Sequence, residues 1–512
     1  MKQIVEYISS VPNIKNIVLV SGRKCDIKMI KEMALMSNIE SLHMYVAGKK
    51  SKLQINKLID ELTDMAVKKM PQILLYEQEE VYNIPELNKN TALVVDSLDD
   101  IKIIFGLDKL KPYYLCGNVE FGSITTFEIW EAFRSFTHEM HLITCREDES
   151  KEVLHWQKKQ DSDLELSVIF PMYNIAAYLP KCIESVTAWK ADYIEFLFVD
   201  DGSPDNCAEI VEKAAQTDRR IKLLRKENGG CASARQYGLE QAKGRYVGFI
   251  DPDDYIDESM YRKLLRRALM GNYEISYSGY KELYEATGET ADVSDLLGEP
   301  YSLGTSDRDE ILNLVSYLRV AIWRGIYLRE MLNKNKIGFY TDLRRFDDLP
   351  FKVEVFATAK SVVCVPEYLY YYRMARPGQD IAANDERLYV HFPIFEHLDE
   401  FVRKSGSKEL IEKLQIVKLQ THIYAIRKLL PEYIPEYVKN AKKDLLKNIG
   451  FFNSMLIYKS GVSKSDRAFF YAIASGNSKL IIELCKKLNN RNDKREKSKE
   501  TIVDSINNLT NF

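Results

Sequence analysis

The chain has 512 residues, a formal charge of −3, and 46% hydrophobic and 29% charged residues. This composition excludes a disordered or fibrous chain, and the near-neutral balance removes the attraction that non-specific nucleic-acid binding needs. No run reaches the roughly 18–20 uninterrupted apolar residues that cross a bilayer. The eight cysteines form no CxxC pair, and the amino terminus does not resemble a secretory leader. We therefore expect a reduced, cytoplasmic protein without nucleic-acid partners.

The first part of the chain alternates short apolar runs with longer amphipathic stretches. This pattern predicts a parallel β-sheet covered by helices over residues 1–148. The polar segment 149–163 is predicted as a linker. The expected strands are Ile17–Val20, Leu42–Val46, Ile73–Tyr76, Leu93–Val95, Tyr113–Cys116 and Leu142–Thr144.

A second alternating block covers residues 164–384. Within it, residues 283–310 are rich in Gly, Ser and Asp and predict a long loop. Residues 385–490 have helical periodicity, and residues 491–512 are predicted as a basic tail with a short terminal helix. The expected strands of the second block are Leu166–Phe170, Glu195–Val199, Ile221–Leu224, Tyr246–Ile250 and Glu274–Tyr277. The expected helices there are Leu179–Val186, Cys207–Ala215 and Asp257–Met270.

Three short polar clusters each follow one of these predicted strands. In an open α/β sheet, ligands bind outside the carboxyl ends of the strands, so we expect the clusters to face one crevice. They are Pro171–Asn174, Asp200–Ser203 and Asp251–Asp254.

The third cluster concentrates negative charge. Asp251, Asp253 and Asp254 would repel one another unless a cation or positive donors neutralise them. Carboxylate oxygens without nearby His or Cys suit Mg²⁺ or Mn²⁺. An isolated D-x-D triplet is more often a solvated turn, but its place after the apolar strand Tyr246–Ile250 favours a metal site.

A glycine-containing segment, Asn228–Arg235, precedes that strand. Gly229 and Gly230 would let the backbone approach a ligand closely, and the following helix start would offer N–H groups to an anion. Arg235 is a candidate contact for a diphosphate through its planar fork of donors. The alternative is a plain loop followed by a surface helix.

Taken in order, these segments resemble glycosyltransferase family 2, which has the GT-A fold, over about residues 164–380. The similarity extends to Phe346–Phe351, which resembles the family's E-D-x-x-F acceptor motif with Asp347 where glutamate is usual. The segment Leu369–Arg373 is similar to the family's Y-x-Y-R motif. The matching segments upstream are P-M-Y-N at 171–174, D-D-G-S at 200–203, N-G-G-C-A-S-A-R at 228–235 and G-R-Y-V-G-F-I-D-P-D-D at 244–254.

The resemblance implies an inverting, metal-dependent transferase that uses Mn²⁺ or Mg²⁺ and a nucleotide-sugar donor. It places Asp253 on the metal, with Asp251 beside it and nearer the ribose. An aspartate reading the uracil imide N–H would favour a UDP-sugar. The positions implied for donor binding are Pro171, Tyr173, Asn174, Asp201, Gly229, Gly230, Arg235 and Asp251.

The same resemblance implies which residues face the acceptor. Asp348 matches the family's catalytic aspartate and is our candidate general base, with Asp347 in reserve. Trp323 is a further acceptor-side candidate, because an aromatic face suits the C–H side of a sugar, and Arg373 is another, as the arginine of the segment that resembles Y-x-Y-R. For Trp323, core packing is the alternative.

The expected architecture is a Rossmann-like α/β accessory domain, a GT-A nucleotide-sugar-binding domain and a helical carboxy-terminal domain. The expected acceptor is a glycan, lipid-linked or protein-linked, in surface polysaccharide biosynthesis. The basic run at 486–499 is a solvated linker or a contact with the cytoplasmic face of a membrane. A catalytically silent nucleotide-sugar-binding scaffold is the main alternative. A nucleotidyltransferase is disfavoured because residues 171–178 have no Gly-rich basic signature.

Overall fold

Two compact units make up the chain in the computed structural model. One comprises residues 1–165 with 261–276, and the other residues 166–260 with 277–512. None of the described helices is long and apolar enough to span a membrane. The residues described are 2–21, 27–46, 49–64, 71–77, 91–95, 114–119, 126–134, 137, 139–145, 151–158, 164–293, 302–374, 382–447 and 449–485.

A seven-stranded sheet forms the centre of the first unit. Its strand order is β3-β2-β1-β4-β5-β6-β7, parallel except for the antiparallel pair β6–β7. The order 3-2-1-4-5-6 is that of doubly wound Rossmann folds. The strands are β1 Asn16–Ser21, β2 Ser41–Val46, β3 Gln72–Glu77, β4 Thr91–Val95, β5 Tyr114–Val119, β6 Glu139–Cys145 and β7 Lys151–Gln157. The helices are α1 Lys2–Ser10, α2 Ile27–Ala34, α3 Lys49–Asp64 and α4 Thr126–Phe133.

The strand β7 corrects the prediction that residues 149–163 form a linker. Leu154 and Trp156, two positions apart, are buried, and the indole N–H of Trp156 donates to the carboxylate of Glu165 at 2.6 Å. Two apolar residues among charged ones are a weak strand signal, so pairing with β6 decides the structure here.

A nine-stranded sheet forms the centre of the second unit. Its order is β10-β9-β8-β11-β15-β13-β16-β12, with β14 paired to β13. The four strands β10, β9, β8 and β11 are parallel to one another, and β15 pairs with β11 in the antiparallel direction. The strands are β8 Leu166–Met172, β9 Ile194–Asp200, β10 Ile221–Arg225, β11 Tyr246–Phe249, β12 Tyr255–Ile256, β13 Ile275–Tyr284, β14 Glu289–Val293, β15 Gly325–Leu328 and β16 Val362–Met374.

In the described sequence, seven helices and a short 3-10 turn at Ile322–Arg324 lie between β8 and β16, and the helix Met260–Gly271 belongs, apart from Met260, to the first unit. Continuous apolar runs bury β8 and β9 on both faces, as expected for parallel strands covered by helices. Gly244 allows β11 to lie beside β8, because a Cβ at 244 would stand 2.4 Å from the backbone nitrogen of Ser167. The helices are α5 Leu179–Thr187, α6 Cys207–Ala215, α7 Cys231–Gln241, α8 Met260–Gly271, α9 Arg308–Tyr317, α10 Arg329–Asn335 and α11 Asp348–Thr358.

The predicted loop 283–310 is wrong over much of its length. β13 continues to Tyr284 and pairs with β14 as an antiparallel hairpin, and α9 begins at Arg308. Exposed polar residues hid the hairpin, since four of the five positions of β14 face solvent. Residues 294–301 lie outside the described part of the chain.

Helices make up most of the described residues from 386 to 485, which confirms the predicted helical region. A buried apolar cluster from four of these helices holds them together, including Ile426, Tyr437, Tyr458 and Phe470. The basic tail predicted at 491–512 lies outside the described residues. After a 3-10 turn at Glu386–Val390, the helices are α12 His391–Ser405, α13 Lys408–Lys428, α14 Ile434–Leu446, α15 Gly450–Gly461 and α16 Lys464–Ser475.

Candidate active site

The carboxyl ends of β8 and β9 are tied together at the backbone. The N–H of Asp201 donates to the carbonyl oxygen of Met172 at 3.0 Å, and the Ser203 N–H donates to the carboxylate of Asp200 at 2.9 Å. Asn174, just beyond β8, has a left-handed backbone with φ of +55°, a conformation that asparagine tolerates better than most residues. The Asp201 backbone is therefore fixed at the sheet edge where ligands bind in this class of fold.

The Asp201 side chain is 2% exposed and holds the glycine-containing loop in place. One carboxylate oxygen accepts from Gly229 N–H at 3.0 Å and from the Lys226 ammonium at 2.7 Å. The other accepts from Gly230 N–H at 2.7 Å. The two glycine N–H groups predicted to meet the donor thus bind an internal carboxylate. Lys226 belongs to none of the recognised motifs and was missed by the sequence reasoning.

Three aspartates follow β11 with different surroundings. Asp254 is 1% exposed, and its carboxylate accepts from the Tyr370 hydroxyl at 2.8 Å and the Arg373 backbone N–H at 2.8 Å. Burial raises the pKa of Asp254 well above its ordinary value, and the charges of Asp253 and Asp251 raise it further. Asp254 therefore joins β11 to β16, whereas Asp251 keeps a partly exposed side chain.

A single guanidinium connects two of the predicted clusters. Arg235, on α7 and 4% exposed, donates to the carboxylate of Asp347 at 2.8 Å and also to that of Asp251. The sequence predicted Arg235 as a ligand of the donor diphosphate. In the structure its two terminal nitrogens each have a carboxylate partner, and they join residues that are about a hundred positions apart in the chain.

Asp347 and Asp348 stand at the amino-terminal end of α11. The preceding Phe346 has a left-handed backbone with φ of +53°, which is uncommon for a bulky residue. Burial raises the pKa of Asp348 to about 7, with a further rise from Asp347 and an opposing effect of Arg235. A carboxyl group with a pKa near 7 can accept a proton efficiently at neutral pH.

The aspartates after β11 fit a divalent cation only in part. Within the described residues, no group of three or more His, Cys, Asp or Glu side chains is arranged to hold a metal ion alone. Mg²⁺ and Mn²⁺ are commonly held by one or two carboxylates together with substrate phosphates. The donor set of Asp251 and Asp253, hard oxygens in an excess of negative charge, fits a cation that arrives with a diphosphate.

Of the two acceptor-side candidates, Trp323 lies in the 3-10 turn before β15 and Arg373 lies in β16. Trp323 is 5% exposed, with its ring stacked on Tyr370 at 4.1 Å between centroids. Core packing, the alternative, therefore replaces the acceptor-side interpretation of Trp323. Arg373 lies over the rings of Tyr178 and Tyr255 at 5.3 Å and 5.4 Å, and it pairs with Glu285 on the hairpin.

The structure brings some of the predicted residues into direct contact and leaves others at a distance. Asp251, Arg235 and Asp347 form one ion-paired chain, and Asp348 is close enough to feel all three charges. Asp201 is connected to this ion-paired chain through Gly229 and Gly230, which precede the helix α7 that carries Arg235. Pro171 is the second-last residue of β8, and Tyr173, just beyond the strand, is 51% exposed.

Comparisons with known proteins agree with this architecture. The profile of "Glycosyl transferase family 2" matches residues 167–320. EpsJ and EpsH of Bacillus subtilis (strain 168), both named as glycosyltransferases, are 27% identical over 330 residues and 30% identical over 313 residues. These matches cover 63% and 60% of this chain, and 92% and 88% of the relatives.

A solved structure shares the fold. S. aureus TarS 1-349, crystallised in complex with UDP, superposes with a TM-score of 0.51 at 19% identity, over 64% of this chain and 92% of TarS. Together with the family profile and the extent of the EpsH match, this shows that the chain is an enzyme of glycosyltransferase family 2 with a GT-A domain.

Proposed function

We propose that the protein is an inverting, metal-dependent glycosyltransferase that moves a sugar from a UDP-linked donor to a glycan or glycoconjugate acceptor. The proposal is carried by one observation, the convergence of Asp251, Arg235, Asp347 and Asp348 at the carboxyl edge of the central sheet. This arrangement supports the proposal because Asp251, the carboxylate that we propose to face the diphosphate, lies near Asp348, whose raised pKa suits a proton acceptor.

The donor would lie along the loops that follow β8, β9 and β11. Pro171, Tyr173 and Asn174 would form one wall of the base pocket. Asp201 would accept the uracil imide N–H as a fourth donor, beside the donors of Gly229, Gly230 and Lys226 that its carboxylate already binds. The known UDP complex of TarS supports a uridine donor for the shared fold.

Asp251 would face the ribose and, with Asp253, hold Mn²⁺ or Mg²⁺ against the diphosphate. When bound, such a cation supplies charge neutralisation for the departing diphosphate. Arg235 would position Asp251 and Asp347 relative to each other, with its charge balancing the carboxylates before the donor binds. Gly229 and Gly230 would act indirectly, by orienting Asp201.

Asp348 would act as the general base. The acceptor hydroxyl oxygen attacks the anomeric carbon as the bond from that carbon to the diphosphate oxygen breaks, and the hydroxyl proton passes to the Asp348 carboxylate. A single displacement inverts the anomeric configuration. A sugar hydroxyl is a weak acid, so proton transfer must accompany attack, and orientation by the protein contributes much of the rate. Asp347, held by Arg235, would orient rather than accept.

A panel of UDP-sugars, assayed for UDP release with and without Mn²⁺, tests the proposal. We expect metal-dependent release with one or a few donors, faster when a glycan acceptor is present. Donor binding without turnover would favour the alternative, a silent nucleotide-sugar-binding scaffold. A retained anomeric configuration in the product, measured by NMR, would exclude the single displacement.

The setting proposed for this reaction is the cytoplasm, on a lipid-linked or protein-linked glycan of a surface polysaccharide. The basic run at 486–499, the original reason to expect membrane contact, lies outside the described residues.

A further inference from the structure

The last two described helices expose a cluster of large apolar side chains. Phe452 and Leu456, 75% and 60% exposed, are four residues apart on one face of α15. The Phe451 ring lies 5.8 Å from that of Phe452 and 6.4 Å from that of Tyr471 on α16, between centroids. We call Phe451, Phe452, Leu456 and Tyr471 the aromatic patch.

The core beneath the aromatic patch is closed without it. Tyr458 and Phe470 are each 1% exposed, and their rings meet at 4.7 Å. The Tyr458 hydroxyl donates to the carbonyl oxygen of Gln415 on α13 at 3.1 Å. Folding of these helices therefore does not require Phe452 or Leu456 to be large and apolar. A contiguous exposed apolar surface of this kind marks an interaction site.

The charge around the aromatic patch is strongly positive, although the whole chain is slightly negative. Residues 439–480 contain eight Lys or Arg against two Asp, a formal charge of +6. One of the two aspartates, Asp444, is already paired with Lys418 and His422. The basic residues are Lys439, Lys442, Lys443, Lys447, Lys459, Lys464, Arg467 and Lys479.

Two of these lysines share a helical face with the aromatic patch. Lys459 is three residues after Leu456 on α15, and Lys464 is seven residues before Tyr471 on α16, and both are exposed. The side chain of Arg467 donates to the carbonyl oxygen of Lys459 at 2.7 Å, which joins the basic ends of the two helices. The resulting surface has aromatic rings at one end and ammonium groups at the other.

We propose that this face of α15 and α16 docks the enzyme on an anionic lipid surface. Aromatic and leucine side chains partition into the headgroup boundary, and exposed lysines are attracted to anionic headgroups. A second copy of the chain is disfavoured as the occupant, because the exposed Lys459 and Lys464 beside each patch would bring like charges together. Docking goes beyond the proposed function, since sugar transfer to a dissolved acceptor does not require it.

Vesicle sedimentation of the full chain tests the proposal. We expect the wild-type protein to sediment with phosphatidylcholine vesicles that contain phosphatidylglycerol, to remain in solution with pure phosphatidylcholine, and to be released by added salt. The double variant Phe452→Ser/Leu456→Ser should lower the apparent affinity at least about ten-fold. The double variant Lys459→Glu/Lys464→Glu should lower it by a similar factor of about ten.

Matched variants away from the surface control for general effects. Tyr317→Ser removes a similarly exposed aromatic ring from α9, and Lys213→Glu/Lys334→Glu makes the same charge change on α6 and α10. Both should bind vesicles as the wild type does. Circular dichroism and UDP release with a dissolved acceptor should be unchanged in every variant, which separates docking from the chemistry.

Three results would overturn the proposal. The first is a wild-type protein that ignores anionic vesicles, and the second is unchanged vesicle binding by both double variants. The third is a wild-type dimer, seen by light scattering without vesicles, that the Phe452→Ser/Leu456→Ser variant converts to a monomer. That last result would assign the aromatic patch to a second copy of the chain.

Discussion

Asp201 and a group of three other aspartates at the same sheet edge illustrate different uses of a carboxylate. Asp201, after β9, is surrounded by three donors from its own chain, so its charge is balanced before any ligand arrives. Asp251, Asp347 and Asp348 share a single arginine, and burial and mutual repulsion raise the pKa of Asp348. Donors within the chain balance the charge of Asp201, whereas Asp251, Asp347 and Asp348 together carry more negative charge than one arginine balances.

The first arrangement is suited to holding a loop in place, and the second is suited to taking part in a reaction. A carboxylate held by backbone N–H groups fixes a loop and costs little in the free protein. A group of carboxylates with unbalanced charge gains from a cation and retains a proton acceptor near neutral pH. We therefore expect substitutions of Asp251, Asp347 or Asp348 to affect turnover. Substitutions that break the ion pairs with Arg235 should affect stability.

The largest effect is expected for Asp348→Asn. Removing a general base should lower the transfer rate by about 1,000-fold, while the dissociation constant for UDP should change little. Steady-state kinetics and calorimetric titration with UDP would measure the two quantities. Equal losses in transfer and UDP binding would instead indicate a structural role for Asp348.

Arg235→Gln should cause the next largest change. It leaves the buried carboxylate of Asp347 and the partly exposed carboxylate of Asp251 without their shared partner, which should lower the free energy of unfolding by about 3 kcal/mol. The matched variant Arg225→Gln removes an exposed ion pair with Glu212 and should cost no more than about 0.5 kcal/mol. Urea unfolding followed by circular dichroism would measure both, and similar losses would contradict the assignment.

Asp253→Asn should lower the transfer rate by about 100-fold at fixed Mn²⁺, because one of two diphosphate-side carboxylates is lost. The folded state should remain, as judged by the thermal midpoint. Asp309→Asn, an exposed aspartate on α9, provides the control and should leave both quantities unchanged. A wild-type rate in the Asp253 variant would exclude this residue from the metal site.

The smallest effect is a shift in the pH profile. Since Asp348 must be ionised to accept a proton, transfer should fall as the pH drops below about 7. Asp347→Asn removes a charge that raises the pKa of Asp348, so the acidic limb of the profile should move to lower pH. A pH series of kcat for the wild type and the variant would show it, and a shift in the opposite direction would exclude Asp348 as the base.

Motif order and strand periodicity were enough to predict β8 to β11 and β13, with the aspartates after β9 and β11, but not the other four strands of the nine-stranded sheet. β8 and β9 are continuous apolar runs, and the polar clusters follow them directly, so local pattern and position agree. Asp254 could not be distinguished from Asp253 in the sequence, because its partners Tyr370 and Arg373 come from β16.

The partners of Arg235 were equally inaccessible from the sequence. Its contacts with Asp251 and Asp347 depend on how α7, β11 and α11 pack, not on any local spacing. The strand β7 and the hairpin were missed because exposed strands are specified by their neighbours more than by composition. Long-range pairing therefore limits sequence-based prediction in this protein.

Phe346 connects the backbone before Asp347 with the carboxy-terminal helices, which matters for engineering the protein. Its strained backbone precedes Asp347 directly, and its ring packs against the apolar cluster of the helices, 5.1 Å from the imidazole of His391 between centroids. A truncated chain that ends before α12 would lose this support. Chimaeras that exchange acceptor specificity between homologues should therefore exchange the helices together with the residue at position 346.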